Sequence, residues 1–492
     1  MHWDARIYER RIEAKGVVTL DTHNNLTVLI YETKPLVEKW NIKITEEDEE
    51  VFRKYFHVTD IEDALDKTIA IHIVGRKDAK FALALNLHSP LEIQFQGRKV
   101  PSTLNVIFLG DMTTGKSEIV HSPKLDFDIG QAIGCEMSKT TGLMGTVDLE
   151  NRTIIWGIIP LSDKEHVGLD GLQRISPEDL SMMREALRRK VVEVVKAVTG
   201  SAPCRTRITA TANPNKPIDG YPYRCEAIRD CWPFRDTIDI TRWDLFIPFS
   251  QKDVPRDEIA NAVKTPPLIP KEVFTKHVFW AWNLKAEDIV FTKEAEEEIK
   301  KAYLNFTQYV LPELPLINDE YKLVIAKLAS AYAILTHNTV KQSLTVQQIK
   351  QGEGNIGKTV ELFNSVKVVV DKEHVAKVVT FLENILNKWE YFEYYDYVQG
   401  IKKLREEEVE KIEKLFEEDE TVRRIFEEIA KRQGIEAGVI AEKLGLTKTW
   451  ISKEVAKLKD IGLVESQERR RGYWLTPKGV AYVRYLREKQ SS

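Results

Sequence analysis

Two short stretches carry residues whose types and spacing can do chemistry. The first, GDMTTGKS, sets Gly110, Asp111, Met112, Thr113, Thr114, Gly115, Lys116 and Ser117 directly after the apolar run LNVIFL. Glycines at both ends let backbone N–H groups wrap phosphate oxygens. A lysine here reaches the β and γ phosphates, and the serine hydroxyl holds Mg²⁺. A helix start follows and adds the positive end of its dipole. The expected cofactors are ATP and Mg²⁺. The second stretch, KEHVGLDGLQR at 164–174, has the form of an apolar strand that should end in two acidic residues and drive ATP hydrolysis. Asp170 supplies the first acid. Gly171 stands where a glutamate would polarise the attacking water. Such a residue contributes about 10²–10⁴-fold, so hydrolysis is expected to be impaired. Asp163 and Glu165 are the nearest acids, and both lie at the other end of the strand.

A second match, GEGNIGKT at 352–359, also satisfies the glycine–lysine spacing. Its upstream residues, TVQQIKQ, form no buried strand, and the motif needs one. This stretch reads as a polar loop.

The elements that must position the first two stretches follow from patterning. Residues 1–42 contain GVVTLDTHNNLTVLIYE, two apolar runs split by a polar turn, which predicts a β-hairpin. Residues 45–100 read as helical, opened by a Thr-Glu-Glu-Asp start. From 104 to 250, LNVIFLG, TRITATAN and WDLFIPF alternate with the helical PEDLSMMREALRRKVVEVVKAV, which predicts a three-layer α/β core over 43–260. Residues 261–400 read as a helical subdomain with a polar insertion near 338–365, and 401–420 as a charged, solvated helical spacer. With 492 residues, 43% hydrophobic and 30% charged, the chain suits several globular domains. No apolar run approaches a membrane span, so no membrane is expected as a partner. The four cysteines form no CxxC pair, which argues against structural zinc or disulfides.

The blocks resemble the AAA+ motor of the minichromosome maintenance (MCM) replicative helicases, in order and spacing, over about 45–390. NVIFLGDMTTGKS is similar to that family's phosphate loop, although the family usually has alanine at the position of Gly115. GLMGTVDLENRTIIWGIIPLSDKEHVGLDGL resembles the helix-interrupting insert followed by the acidic strand. EALRRKVVEVVKAV resembles the helix and pore hairpin, TRITATANP the sensor strand, TRWDLFIPF the arginine-finger motif, and FTKEAEEEIKKAYLNF with LVIAKLASAYAIL the lid helices. The resemblance implies an AAA+ P-loop ATPase core with a helical lid. It implies that Asp170 orients Mg²⁺ beside Ser117 and that Asn213 places the attacking water. Arg242 would reach a neighbour's ATP in a ring, hexameric by resemblance, and Lys196 would contact DNA phosphates. Each has a plainer reading: Asn213 as a turn residue before Pro214, Arg242 as an ion-pair partner, Lys196 as a solvated helix residue. Two departures accompany Gly171. Asp319 or Glu320 aligns with the lid's sensor arginine, and the family's N-terminal DNA-binding collar is nearly absent.

Residues 421–492 read as a winged helix-turn-helix. TKTWISKEVAKLKDIG is the recognition helix, with Thr447 as its N-cap and Lys448 and Lys453 as DNA contacts. LVESQERRRGYWLTP is a hairpin wing tipped by Arg469, Arg470 and Arg471; Trp450, Tyr473 and Trp474 are expected to pack. This segment holds sixteen Lys/Arg against nine Asp/Glu, a net of +7 in a chain whose total is −4. A basic module on an acidic body suits phosphate contact.

Two readings remain. One is an MCM-like ATPase acting on single- or double-stranded DNA in replication, of the helicase or translocase type, with weakened hydrolysis. The other is a non-catalytic, ATP-dependent assembly or regulatory partner of an active ring; a replication initiator is a third and weaker one. The first is preferred. The expected assembly is a ring-shaped homo-oligomer or a mixed ring with a related MCM protein. The expected setting is archaeal-like: prokaryotic, cytoplasmic and nucleoid-associated.

Overall fold

The computed structural model describes residues 12–20, 26–35, 40–137, 140–150, 152–195, 198–234, 236–261, 266–341, 366–399, 404, 406–432, 434–467 and 470–491. They divide into two units, Met1–Trp389 and Glu390–Ser492. Lys196, Arg469 and the whole of GEGNIGKT lie outside the described residues, as do the side chains of Arg470 and Arg471.

In the first unit, β1 (Ile12–Leu20) pairs antiparallel with β2 (Leu26–Pro35), as the two apolar runs predict. Helices follow at Glu46–Phe56, Ile61–Asp66 and Lys77–His88. The first opens on a reciprocal cap: Asp48 N–H donates to Thr45 Oγ1 at 3.2 Å, and Thr45 N–H donates to the Asp48 carboxylate at 2.9 Å. The helical expectation for 45–100 fails at its end. There β3 (Glu92–Phe95) and β4 (Arg98–Pro101) form a hairpin. Its two turn residues, Gln96 and Gly97, have φ of 49° and 76°, a turn that matches the right-handed twist of the flanking strands.

The chain continues through β5 (Asn105–Gly110), a helix at Lys116–Phe127 and β6 (Gln131–Gly134). A small hairpin of β7 (Gly145–Asp148) and β8 (Thr153–Trp156) precedes β9 (His166–Asp170). After the helix Pro177–Arg189, β10 (Val191–Val195) pairs with β11 (Thr199–Pro203), and β12 (Arg207–Ala212) and β13 (Leu245–Phe249) complete the core. The segment resembling a helix and pore hairpin is therefore helix only to Arg189. Five strands form one sheet in the order β13-β5-β12-β9-β6, parallel throughout. Every residue of β5, β12 and β13 is buried. That continuous burial is what a parallel sheet covered on both faces produces. Because all five strands run the same way, their carboxyl ends share one edge, where ligands bind in open α/β sheets.

Helices at Lys271–Asn283, Lys293–Phe306, Tyr321–Leu335 and Lys372–Lys388 follow. The expectation of a purely helical region is corrected by a small sheet of β14 (Ile289–Phe291), β16 (Val366–Val370) and β15 (Thr339–Lys341), in that order. A chain of imidazoles crosses this part of the fold. His88 Nε2 lies 3.0 Å from His277 Nδ1, His277 Nε2 lies 3.2 Å from His337 Nδ1, and His337 Nε2 lies 2.9 Å from a Glu49 carboxylate oxygen.

The second unit contains helices at Tyr391–Val398, Glu406–Glu418, Glu420–Lys431, Ala437–Leu444 and Lys448–Asp460. The antiparallel pair β17 (Val464–Gln467) and β18 (Arg470–Leu475) follows, then a helix at Pro477–Ser491. Ile412 and Phe416 are buried among Ile425, Phe426, Ile451 and Tyr482. The helix Glu406–Glu418 is thus no solvated spacer: its i and i+4 apolar positions form part of this unit's core. Among the described residues, no helix is long and apolar enough to cross a membrane.

Candidate nucleotide site

The phosphate loop leaves the carboxyl end of β5 and enters the helix Lys116–Phe127, the strand–loop–helix order the motif needs. Asp111 ties the loop down. Its two carboxylate oxygens accept N–H donors from Ile218 at 2.8 Å and Gln251 at 2.9 Å. Thr114 Oγ1 donates to Asp111 O at 2.7 Å, while Met112 is exposed and Thr113 has a φ of 58°. Gly115 has a φ of 88°, and a Cβ there would lie 2.9 Å from Ile73 Cγ2. This backbone explains a glycine where the family resemblance expects alanine.

Lys116 is buried and donates to Gly110 O at 3.1 Å, to Asp111 O and to Thr114 Oγ1 at 3.3 Å. Burial pushes its ammonium down to about 8, against the pull of Asp111. Ser117 Oγ donates to Asp170 Oδ1 at 2.9 Å. The same oxygen accepts from Thr211 Oγ1 at 2.5 Å, and His121 Nε2 lies 3.4 Å from Asp170 Oδ2. Burial alone would raise the Asp170 carboxyl, but the hydrogen bonds from His121, Thr211 and Ser117 outweigh it and hold it at about 2. Asp170 is therefore ionised at neutral pH. A hydroxyl and a carboxylate oxygen side by side fit Mg²⁺, which takes one or two protein ligands and completes its shell with phosphates and water. Ser117 and Asp170 would hold the ion, which would neutralise phosphate charge there.

Sheet register brings in the third stretch. Ala212 pairs with Leu109, so Asn213 emerges beside Gly110. Its N–H donates to Gln173 Oε1 at 3.2 Å, and its own Oδ1 is buried without a partner. Gly171 has a φ of 85°, and its N–H donates to Thr211 Oγ1 at 2.8 Å. A side chain there would have room, because the nearest atoms to a built Cβ stand at 3.8 Å and 4.0 Å. The left-handed backbone, not crowding, opposes a glutamate, at a cost of about 1–2 kcal/mol. Asp163 and Glu165 precede β9 and are remote from this edge, and Asp163 is held by Arg205, with contacts of 2.5 and 3.1 Å.

Arg242 is not brought to the loop. It precedes β13, whose first residue Leu245 pairs with Val106 and whose last, Phe249, pairs with Gly110. The four intervening steps span about 13 Å at the usual strand rise. Its Nε is buried without a partner, and its carbonyl accepts from Asn105 Nδ2 at 2.9 Å. Glu320, at the sensor-arginine position, pairs with Arg188 at 2.5 Å. Thr211, His121 and Gln173 were missed in the sequence. Thr211 and Asn213 share one strand face by alternation, and His121 lies one helical turn after Ser117; those spacings were the available signals.

In the second unit, Lys448, Trp450 and Lys453 are exposed on the helix Lys448–Asp460, and Lys453 Nζ sits 5.7 Å over the Trp450 ring. Trp450 is thus not a packing residue, as expected from sequence, but part of an outward basic face.

Comparison with known proteins agrees with the core geometry. Residues 48–262 match the family model described as the MCM P-loop domain. DNA replication licensing factor MCM5 of Arabidopsis thaliana is 27% identical over 206 residues, covering 41% of this chain and 28% of that protein. DNA replication licensing factor mcm2 of Schizosaccharomyces pombe is 22% identical over 297 residues, 56% of this chain and 34% of that protein. DNA replication licensing factor MCM3 of Entamoeba histolytica is 29% identical over 179 residues, 35% of this chain and 30% of that protein. The match assigns residues 48–262 to the MCM P-loop domain, and this core has the α/β AAA+-type fold. The chain spans about a third or less of the length of these curated relatives. They come from a plant, a yeast and an amoeba, all eukaryotes. That corrects the prokaryotic, cytoplasmic, nucleoid-associated setting expected from sequence.

Proposed function

We propose that this chain is an MCM-type ATPase acting on DNA, which binds ATP with Mg²⁺ and turns it over slowly in a ring whose sites lie between subunits. The observation that carries the reading is the pairing of Ser117 and Asp170 at 2.9 Å beside the loop around Lys116. It supplies the phosphate cradle and the metal ligands of a working site. Gly171 removes the water-polarising carboxylate, which makes turnover slow. Arg242, at the far end of β13 from the loop, would serve a neighbour's site rather than its own, in a homo-oligomer or a mixed ring. The same Gly171 favours a second reading, a silent subunit that holds ATP and lends Arg242 to an active partner.

The deciding experiment is nucleotide binding and turnover by the full chain, with and without single-stranded DNA. Lys116→Ala should weaken ATP binding by about 10²-fold or more, because it removes a buried cation that meets phosphate. Turnover above that variant's level supports the ATPase. Binding with no turnover above it supports the silent subunit, and undiminished binding by Lys116→Ala would remove the loop from the site.

The second unit reads as a winged helix-turn-helix whose helix Lys448–Asp460 meets DNA. Its exposed lysines and Trp450 support this, and Arg469, Arg470 and Arg471 would extend the contact along the wing. Lys448→Ala with Lys453→Ala should weaken DNA binding and reduce the slope of log affinity against log salt by about 1–2, one counterion per lost phosphate contact. An unchanged slope would assign this face to a protein partner instead.

A further inference from the structure

Gly171 leaves the end of β9 without a side chain that could hold a water, yet two oxygen acceptors stand beside it. Gln173 sits in the short turn Leu172–Arg174 that follows the strand. Its Nε2 lies 3.8 Å from the point where a Cβ on residue 171 would be. Its Oε1 accepts the Asn213 N–H at 3.2 Å, which leaves one lone pair of that oxygen for another donor. Asn213 Oδ1 is buried and has no partner. Leaving a buried acceptor unsatisfied is unfavourable, so Asn213 Oδ1 is suited to a group that donates to it. Asn213 follows the residue paired with Leu109 and so stands next to the start of the phosphate loop. A water molecule, with two O–H donors, matches these two acceptors at that place.

We propose that Gln173 orients the attacking water, together with Asn213, in place of the missing carboxylate at 171; the inference rests on the ATPase reading above. The water donates one O–H to Asn213 Oδ1 and the other to the free lone pair of Gln173 Oε1. Its own lone pair is then left for the γ phosphorus. The bond from the water oxygen to that phosphorus forms as the bond to the β,γ-bridging oxygen breaks. ADP leaves with the electron pair, and the water's proton departs with inorganic phosphate. A neutral amide orients water without taking its proton, as glutamine does in some GTPases. Turnover is therefore slow rather than absent.

The test compares the full-length wild type with Gln173→Ala, Gln173→Glu and Lys116→Ala. Two titrations read binding, one with ATPγS and one with ADP plus aluminium fluoride, which mimics the phosphoryl group in flight with its in-line water. Steady-state turnover is read alongside. Gln173→Ala should keep ATPγS affinity and KM within about twofold. It should weaken aluminium fluoride–ADP binding by about tenfold or more and lower kcat by about 10²-fold. Gln173→Glu keeps an acceptor oxygen on a side chain of the same length and should recover about tenfold or more of that loss. Wild-type kcat and aluminium fluoride binding in Gln173→Ala would overturn the inference and leave the ATPase reading standing. Loss of ATPγS binding in Gln173→Ala would also overturn it, since the residue would then be holding the fold. Wild-type turnover no greater than that of Lys116→Ala, with ATPγS still bound, would overturn the ATPase reading and the inference with it.

Discussion

Replacing Arg242 by alanine is expected to leave ATPγS affinity of the chain unchanged while dropping turnover of the assembled protein to the level of Lys116→Ala. An arginine supplied to a neighbour's transition state contributes about 10³–10⁵-fold, the largest single effect foreseen here. The physical argument is one of reach. Arg242 lies before β13, and the strand's four steps from Leu245 to Phe249 separate it from the level of Gly110. An arginine side chain cannot bridge that distance and still align with a phosphate. Its backbone is well fixed: Asn105 Nδ2 donates to its carbonyl at 2.9 Å, Asn105 N–H donates to Asp244 at 2.8 Å, and Asp244 pairs with Lys327 at 3.0 Å. Its Nε is buried with no partner, and burial lowers its guanidinium from the ordinary value, with Arg188 adding to the shift. A cation so placed gains from an anion brought to it. The measurement is a nucleotide titration together with turnover at concentrations that favour assembly. Weakened ATPγS binding by Arg242→Ala, or undiminished turnover, would remove the residue from this role.

Acidification is expected to destabilise the fold through imidazoles that are buried uncharged. Burial pushes His88 down to about 4, aided by Arg207 and opposed by a hydrogen bond to Ala84 O. Burial, again with Arg207 adding, pushes His166 down to about 3. Burial takes His277 well below its ordinary value, with His88 and His337 adding to the shift. Each is neutral in the fold, whereas the unfolded chain gains a proton as the pH falls below 6.5. The stability these groups confer is thus complete above 6.5 and is lost as pH falls towards their folded values. At pH 5 His88 and His166 each cost about 2 kcal/mol, and His277 adds in the same direction. His374 shifts in the same direction, chiefly by burial. His121 opposes them, because its hydrogen bond to Asp170 raises it and favours the charged form. The net sign stays destabilising. Urea midpoints at pH 7, 6 and 5 should fall steadily, and His88→Gln should reduce the loss at pH 5 by about 2 kcal/mol. A flat profile across that range would mean that the imidazole chain is hydrated or already charged in the native protein.

The phosphate loop was legible in the sequence because its chemistry is local. Consecutive residues from Gly110 to Ser117 supply the turn, the cation and the hydroxyl, so their order alone defines the cradle. The strand ending in Asp170 was legible for the same reason, an apolar run with one acid at its close, and Gly171 marked the missing group directly. What surrounds them was not. Thr211 reaches Asp170 because β12 lies beside β9 in the sheet, forty-one positions away along the chain, and its hydroxyl holds both that carboxylate and the Gly171 N–H. Gln173 becomes a candidate only when Asn213 is folded against it. Long-range packing also decided what the imidazoles mean. His88, His277 and His337 are unrelated in sequence, and three separate segments bring them into one chain ending at Glu49. The charged run at 401–420 read as a solvated helical spacer; it is helical over Glu406–Glu418, but its charge density hid that Ile412 and Phe416 face a core. Trp450 was read as packing because aromatics in small domains commonly pack, yet tertiary contacts fill that core without it. Sequence by itself determined the residues of the phosphate-loop motif, since they are neighbours along the backbone. Only the tertiary structure decided which side chains stand beside Gly171 and at which end of the sheet Arg242 lies, because strand order and register set those distances.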